Sequence, residues 1–177
     1  MQLTITPLSD AGVDVLPPDI AWTGFVGDFA VAKIPADGGV GGLVARNPIE
    51  TAVLLLLFTD AQADPTDLRF EHHGDPRGWV GDGFDVDVAN GEAALGSRLW
   101  LYRRSVLIAK TFAEIKAEVL RTLSPLIKQG AAVQIDVDGE LLNAQNTIRL
   151  SVNIYGANKR KIYAARFDPL WSRADGL

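Results

Sequence analysis

Chemistry in this chain has few places to come from, because it holds two histidines and no cysteine. His72 and His73 stand beside Asp75, the point where metal-ligand residue types crowd together. Neighbouring side chains diverge in regular structure, so adjacent histidines rarely share an ion, and no third histidine completes a set. Asp82, Asp85, Asp87, Asn90 and Glu92 superficially match a calcium loop. Ala89 stands where an oxygen donor is required, however, and the closing Glu is missing. A glycosidase pair among these acids would need one raised-pKa acid and one base at a set separation, which Asp in Gly-rich turns does not supply. Gly96–Ser97–Arg98 lacks the second glycine of a nucleophile elbow, and no glycine-rich phosphate cradle leads into a capped helix. No enzyme, metal or cofactor is expected.

Two residue sets fit contact better than catalysis. Arg98, Trp100, Tyr102, Arg103 and Arg104 mix arginine with aromatics, the composition of interface hot spots, although Trp100 fits a core equally well. Lys159, Arg160 and Lys161 form a basic cluster beside a turn in a chain of net charge −5. Such a cluster is either a solvated hairpin tip or a salt-sensitive protein contact.

The elements that would position these residues belong to one domain of 177 residues. The composition, 47% hydrophobic and 22% charged, is that of a globular chain. Net charge and a pI near 5.0 argue against nucleic acid or an anionic membrane as partner. The longest apolar run, Ala52–Phe58, is far too short to span a bilayer, and Met1–Thr6 has no secretory character. A soluble, cytosolic product is expected. Mean hydropathy of +0.11 suits a well-filled core or surface buried against partners.

Residues 1–45 read as an N-terminal β arm with short strands, punctuated by Leu16–Pro17–Pro18 and the glycine-rich Pro35–Gly42. Residues 46–177 read as an α+β domain with a long loop at 60–91. Asn47–Pro48–Ile49–Glu50 predicts a capped helix start, and Thr51–Phe58, apolar on every side, predicts a helix buried all round. Thr111–Phe112–Ala113–Glu114 reads as a second capping box. Behind it Phe112, Ile115, Val119, Leu120, Leu123, Leu126 and Ile127 form one apolar face. Glu114, Lys116, Glu118 and Arg121 are expected opposite, with Pro125 kinking or splitting the helix and Ser124 capping a last turn before Gly130. Val133–Val137, Thr147–Tyr155 and Ile162–Phe167 alternate as half-buried strands. The pattern predicts an antiparallel sheet with helices packed on one face.

In that order come Asn-Pro-Ile-Glu-Thr-Ala-Val, Leu57–Ala63 (Leu-Phe-Thr-Asp-Ala-Gln-Ala), Gly78–Trp79–Val80–Gly81–Asp82 and Gly96–Ser97–Arg98–Leu99–Trp100. The long helix, Gln129–Val133 and two alternating strands follow. From about Asp28 to Trp171 this resembles the Mu-like phage baseplate protein family, which is similar to the lysozyme-like wedge, or sheath-initiator, proteins of contractile tails. The resemblance implies a structural role in a six-fold baseplate, in the virion after assembly in the host cytoplasm. Its implied partners are other wedge proteins and the tail sheath protein, with tube or hub as further candidates.

It also implies that the C-terminal sheet adds strands from the sheath, a form of β-augmentation. Arg149, Ser151 and Asn153 then become candidate contact residues, and proline at Ser151 or Asn153 tests docking if that strand lies at the edge. Wedge proteins of this type often carry Glu-Pro-Arg at the end of the long helix. Here Ser124–Pro125–Leu126 replaces it, so Leu126 is a candidate apolar contact or ordinary core. A regulatory adaptor of the same fold is the rival reading, and a cell-wall hydrolase a third.

Overall fold

The computed structural model describes residues 4–7, 20–22, 27–29, 48–79, 81–84, 86–103, 105–142 and 147–172. Helix α1 (Pro48–Phe58) opens on proline, whose missing N–H is no loss in a first turn, and carries Glu50 near its positive end. Its proposed cap, Asn47, lies outside the described residues. The helix is not buried all round as its composition suggested. Val53, Leu56 and Leu57 are buried, whereas Phe58 is 39% exposed and Leu54 and Leu55 are half-buried. A helix on the outside of a two-layer domain has one covered side, however apolar its sequence.

Helix α2 (Ala109–Lys128) begins earlier than the capping box predicted. Thr111 is therefore inside the first turn, and its hydroxyl donates to the Val106 carbonyl at 2.8 Å. Pro125 neither splits the helix nor makes Ser124 a cap. It opens the last turn, where its lost N–H frees one carbonyl, and the chain turns out of the helix at Gly130 with φ +74°. Ile115, Val119, Leu123 and Leu126 form the buried stripe. Leu120 and Ile127, assigned to that stripe from sequence, are 38% and 42% exposed. Glu118, assigned to the solvent side, is buried.

Strands β1 (Thr4–Pro7), β4 (Gln134–Leu142), β5 (Thr147–Tyr155) and β6 (Lys161–Ser172) form an antiparallel sheet in the order β1-β6-β5-β4. Strands β2 (Ile20–Trp22) and β3 (Gly27–Phe29) make a separate antiparallel pair. Alternation on β5 places Ile148, Leu150, Val152 and Ile154 on the face that meets Val137, Tyr163, Ala165 and Phe167, under Val53, Leu57, Ile115, Val119 and Leu123. Each fully buried aliphatic or aromatic side chain of this core contributes roughly 1.5–3 kcal/mol relative to exposure. The fold is α+β with both helices on one sheet face, as the sequence indicated. Among its described residues the 60–91 loop carries three short 3-10 turns, Pro65–Asp67, Phe70–His72 and Val88–Asn90.

Candidate functional site

Two of the short stretches behind the family resemblance, Leu57–Ala63 and Gly96–Trp100, are partners of one another. Past the end of α1, Ser97 N–H donates to Thr59 O and Ala61 N–H to Ser97 O, both at 2.9 Å, in a parallel bridge at Asp60 and Ser97. The buried Ser97 hydroxyl donates to the Leu57 carbonyl at 2.7 Å. Gly96 has φ +110°, and a Cβ there would lie 2.7 Å from Thr59 O, so this position requires glycine. Trp100, 4% exposed, donates its indole N–H to Ala61 O at 2.9 Å. The Arg77 guanidinium lies 4.9 Å from the centroid of that ring and pairs with Asp60 at 2.8 Å.

Beside this joint, a buried carboxylate collects the arginines. Glu118 accepts the Arg98 backbone N–H at 2.7 Å and Arg121 Nε–H at 2.8 Å, and the Arg98 guanidinium also reaches it at 3.4 Å. Arg98 spans on to Asp67 at 2.9 Å. Burial pushes the Glu118 carboxyl upward, but the hydrogen bonds from Arg121 and Arg98 and the two positive charges outweigh it and hold the carboxyl below its ordinary value. The Arg121 guanidinium is pushed up in turn, chiefly by its hydrogen bonds to Glu118. A cleft of about 240 Å³ opens here between Asp67, Arg69, Arg98, Tyr102, Glu114 and Glu118. Burial, and then the Glu114 and Glu118 charges, push the Tyr102 phenol up. A carboxylate kept ionised by two arginines is a poor proton donor near neutral pH; this arrangement suits a strut.

The residues singled out from sequence do not gather in one place. Trp100 is core, and Arg98 is a strut. Arg103 is exposed and pairs with Asp60 at 3.4 Å, while Arg104 lies outside the described residues. Leu126 is buried in the main core, so it is packing and not an exposed anchor. Arg149 pairs across strands with Glu140 at 2.7 Å. Ser151 and Asn153 lie on the polar face of β5, which runs between β4 and β6, so they are not edge residues. The Asn153 Oδ1 is buried with no hydrogen-bond partner. Lys159 (φ 54°) and Arg160 lie in the β5–β6 hairpin turn, closed by Gly156 N–H to Arg160 O at 2.9 Å, and Lys161 opens β6 with its ammonium 5.9 Å from the Tyr155 ring centroid.

Of the metal and calcium candidates, His72, Asp87, Asn90 and Glu92 make hydrogen bonds within the protein. His72 Nδ1 accepts the Arg69 N–H at 2.8 Å, which leaves Nε2 to donate to Leu101 O at 3.2 Å. Asp87 accepts from the Asn90 backbone and side chain, and Glu92 accepts the Asp87 N–H at 2.8 Å. Asp85 lies outside the described residues.

Sequence reasoning found β4 as the strand Val133–Val137 but not its place in the sheet. Among the described residues it is the strand at one edge of the sheet, paired with β5 on one side alone. Its exposed face carries Asp136, Asp138 and Glu140, and its covered face Ile135, Val137 and Leu141. The alternation was visible beforehand, but strand order is a property of the assembled sheet.

These features define a class: an α+β domain whose buried polar groups brace the fold and whose sheet, among the described residues, leaves one side of β4 unpaired. Within that class, the chain belongs to the phage protein GP46 family, whose profile matches residues 49–161, from the start of α1 to the start of β6. It is 29% identical over 124 residues to baseplate protein gp46 of Escherichia phage Mu, covering 70% of this chain and 77% of that protein. The resemblance to Mu-like baseplate proteins seen in the sequence therefore holds.

Proposed function

We propose that this protein is a non-enzymatic structural component of a contractile-tail baseplate, located in the virion after assembly in the host cytoplasm. In this reading the helices and the Asp60–Gly91 loop dock on neighbouring wedge proteins, and the C-terminal sheet nucleates the tail sheath by strand addition. The relationship to the Mu baseplate protein supports the baseplate role. The open side of β4 is the observation that carries strand addition, because an unpaired row of N–H and C=O groups is a directional template. Docking thereby shifts from Ser151 and Asn153, whose strand has both sides occupied, to β4.

The test is a pull-down of the tagged protein from cells producing the particle, read by mass spectrometry. Amide exchange over residues 134–142 is then compared between the free and assembled protein. Sheath and wedge proteins in set ratios, with β4 amides protected on assembly, are expected. Recovery with no tail protein overturns the baseplate role and favours the regulatory adaptor. Tail proteins without β4 protection overturn strand addition alone.

A further inference from the structure

Lys116 and Asp138 form an ion pair, Nζ to Oδ1 3.4 Å, between groups on opposite sides of the sheet. Helix α2, which carries Lys116, covers the apolar face. Asp138 follows the buried Val137 in β4, so strand alternation sends it to the other face, where its side chain is 87% exposed. A pair joining the two faces has to pass round the rim, and the rim nearest both residues is the unpaired side of β4. The other acids of that row are served from within the sheet. Glu140 takes Arg149 from β5, and Asp136 accepts from Gln134 of its own strand at 2.8 Å. Asp138, opposite Ser151, draws its cation from beyond the edge.

A strand added to β4 would put its own side chains about 5 Å from this row, with every second residue facing Asp136, Asp138 and Glu140. Its intervening residues would meet the half-buried Ile135 and Leu141 on the apolar face. A second copy of β4 fits poorly, because the register that keeps both apolar faces inward sets acids against acids. Charge complementarity selects a different occupant.

We infer that the β4 edge accepts an amphipathic strand from another protein that presents Lys or Arg opposite Asp138 and apolar residues on either side of it, with Lys116 holding the place of that cation in the unbound protein. This inference rests on the strand-addition reading and specifies its partner. Until displaced, the Lys116 bridge also guards an edge that would otherwise invite aggregation.

Three nine-residue synthetic peptides test it on the full chain. One alternates Lys and Val, one alternates Glu and Val, and one has the first composition with lysines and valines in separate blocks. Binding is read by fluorescence anisotropy and by amide exchange over residues 134–142. The alternating Lys–Val peptide is expected to bind and protect β4. Asp138→Asn should weaken it about two- to five-fold and Lys116→Met tighten it by a similar factor, the scale of one cross-strand charge pair. Equal binding by the block peptide reduces the effect to general charge attraction and overturns the inference. Equal β4 protection by the Glu–Val peptide overturns the charge selection and leaves strand addition standing. If no peptide protects β4, both the inference and the strand-addition reading fall.

Discussion

Arg98 meets Glu118 twice, through its backbone N–H at 2.7 Å and its guanidinium at 3.4 Å, and so ties the Gly96–Trp100 segment to the middle of α2. The same carboxylate holds Arg121 from the next turn of the helix. Three chain segments are therefore linked through Glu118 and Arg98, because Arg98 also carries Asp67 of the long loop.

Replacing that charge is expected to cost stability. Glu118→Gln keeps the shape but weakens the charge-assisted bonds, leaving Arg121 without its anion and Arg98 with Asp67 alone, a loss of about 2 kcal/mol. The pH dependence has a definite sign. The folded carboxyl is held below its ordinary value, so its contribution is fully present above the unfolded pKa of about 4.3 and is lost as pH falls through the folded value. Urea unfolding should show the difference between wild type and Glu118→Gln constant from pH 7 to about 5 and shrinking below about pH 4. A difference independent of pH would refute the charge argument.

Trp100→Phe tests whether this residue is core or contact. It keeps most of the buried ring but leaves the Ala61 carbonyl without its donor, at a cost of about 1–3 kcal/mol. Thermal unfolding should register the loss. At a temperature where the variant is folded, its recovery of partners in the pull-down should match wild type; a specific loss of one partner would make Trp100 a contact residue after all.

Gly96→Ala places a Cβ against Thr59 O at a φ that L residues avoid. The expected destabilisation is about 2 kcal/mol or more, from strain and from loosening of the bridge between Ser97 and the end of α1. Gly74→Ala is the control, since it also has positive φ but open space around it, and should cost less. Equal costs for the two would show that the close approach at Gly96 contributes nothing.

Ser151→Pro removes a backbone N–H from the middle strand of the sheet and should disrupt folding, by about 3 kcal/mol or more. Circular dichroism and a melting curve check this before any binding assay. A folded variant defective in sheath docking alone would return the contact to β5.

Periodicity alone was enough to read the C-terminal strands, since Thr147–Tyr155 alternates cleanly and a one-residue slip would turn its apolar set outward. Helix α2 was legible for the same reason along Ile115, Val119 and Leu123. Its start was not. Thr111 and Glu114 match a capping box, but Thr111 spends its hydroxyl on Val106 O from inside the first turn. Glu118 was misplaced because a helical pattern separates apolar from charged residues, whereas a carboxylate is buried once two arginines and a backbone N–H meet it there. Nothing local announces that Arg98, twenty residues away, will do so.

The sequence by itself determined the α+β class, the two helices, the three C-terminal strands and the family, because these depend on local periodicity, turn residues and short ordered motifs. The tertiary structure decided which of those strands has an open side and which arginines are struts. It also decided that Trp100 belongs to the core, and that the signature stretches around Asp60 and Ser97 hold each other. Strand order and long-range ion pairing join residues far apart in the chain, and the free energy that selects them exists once the layers have packed.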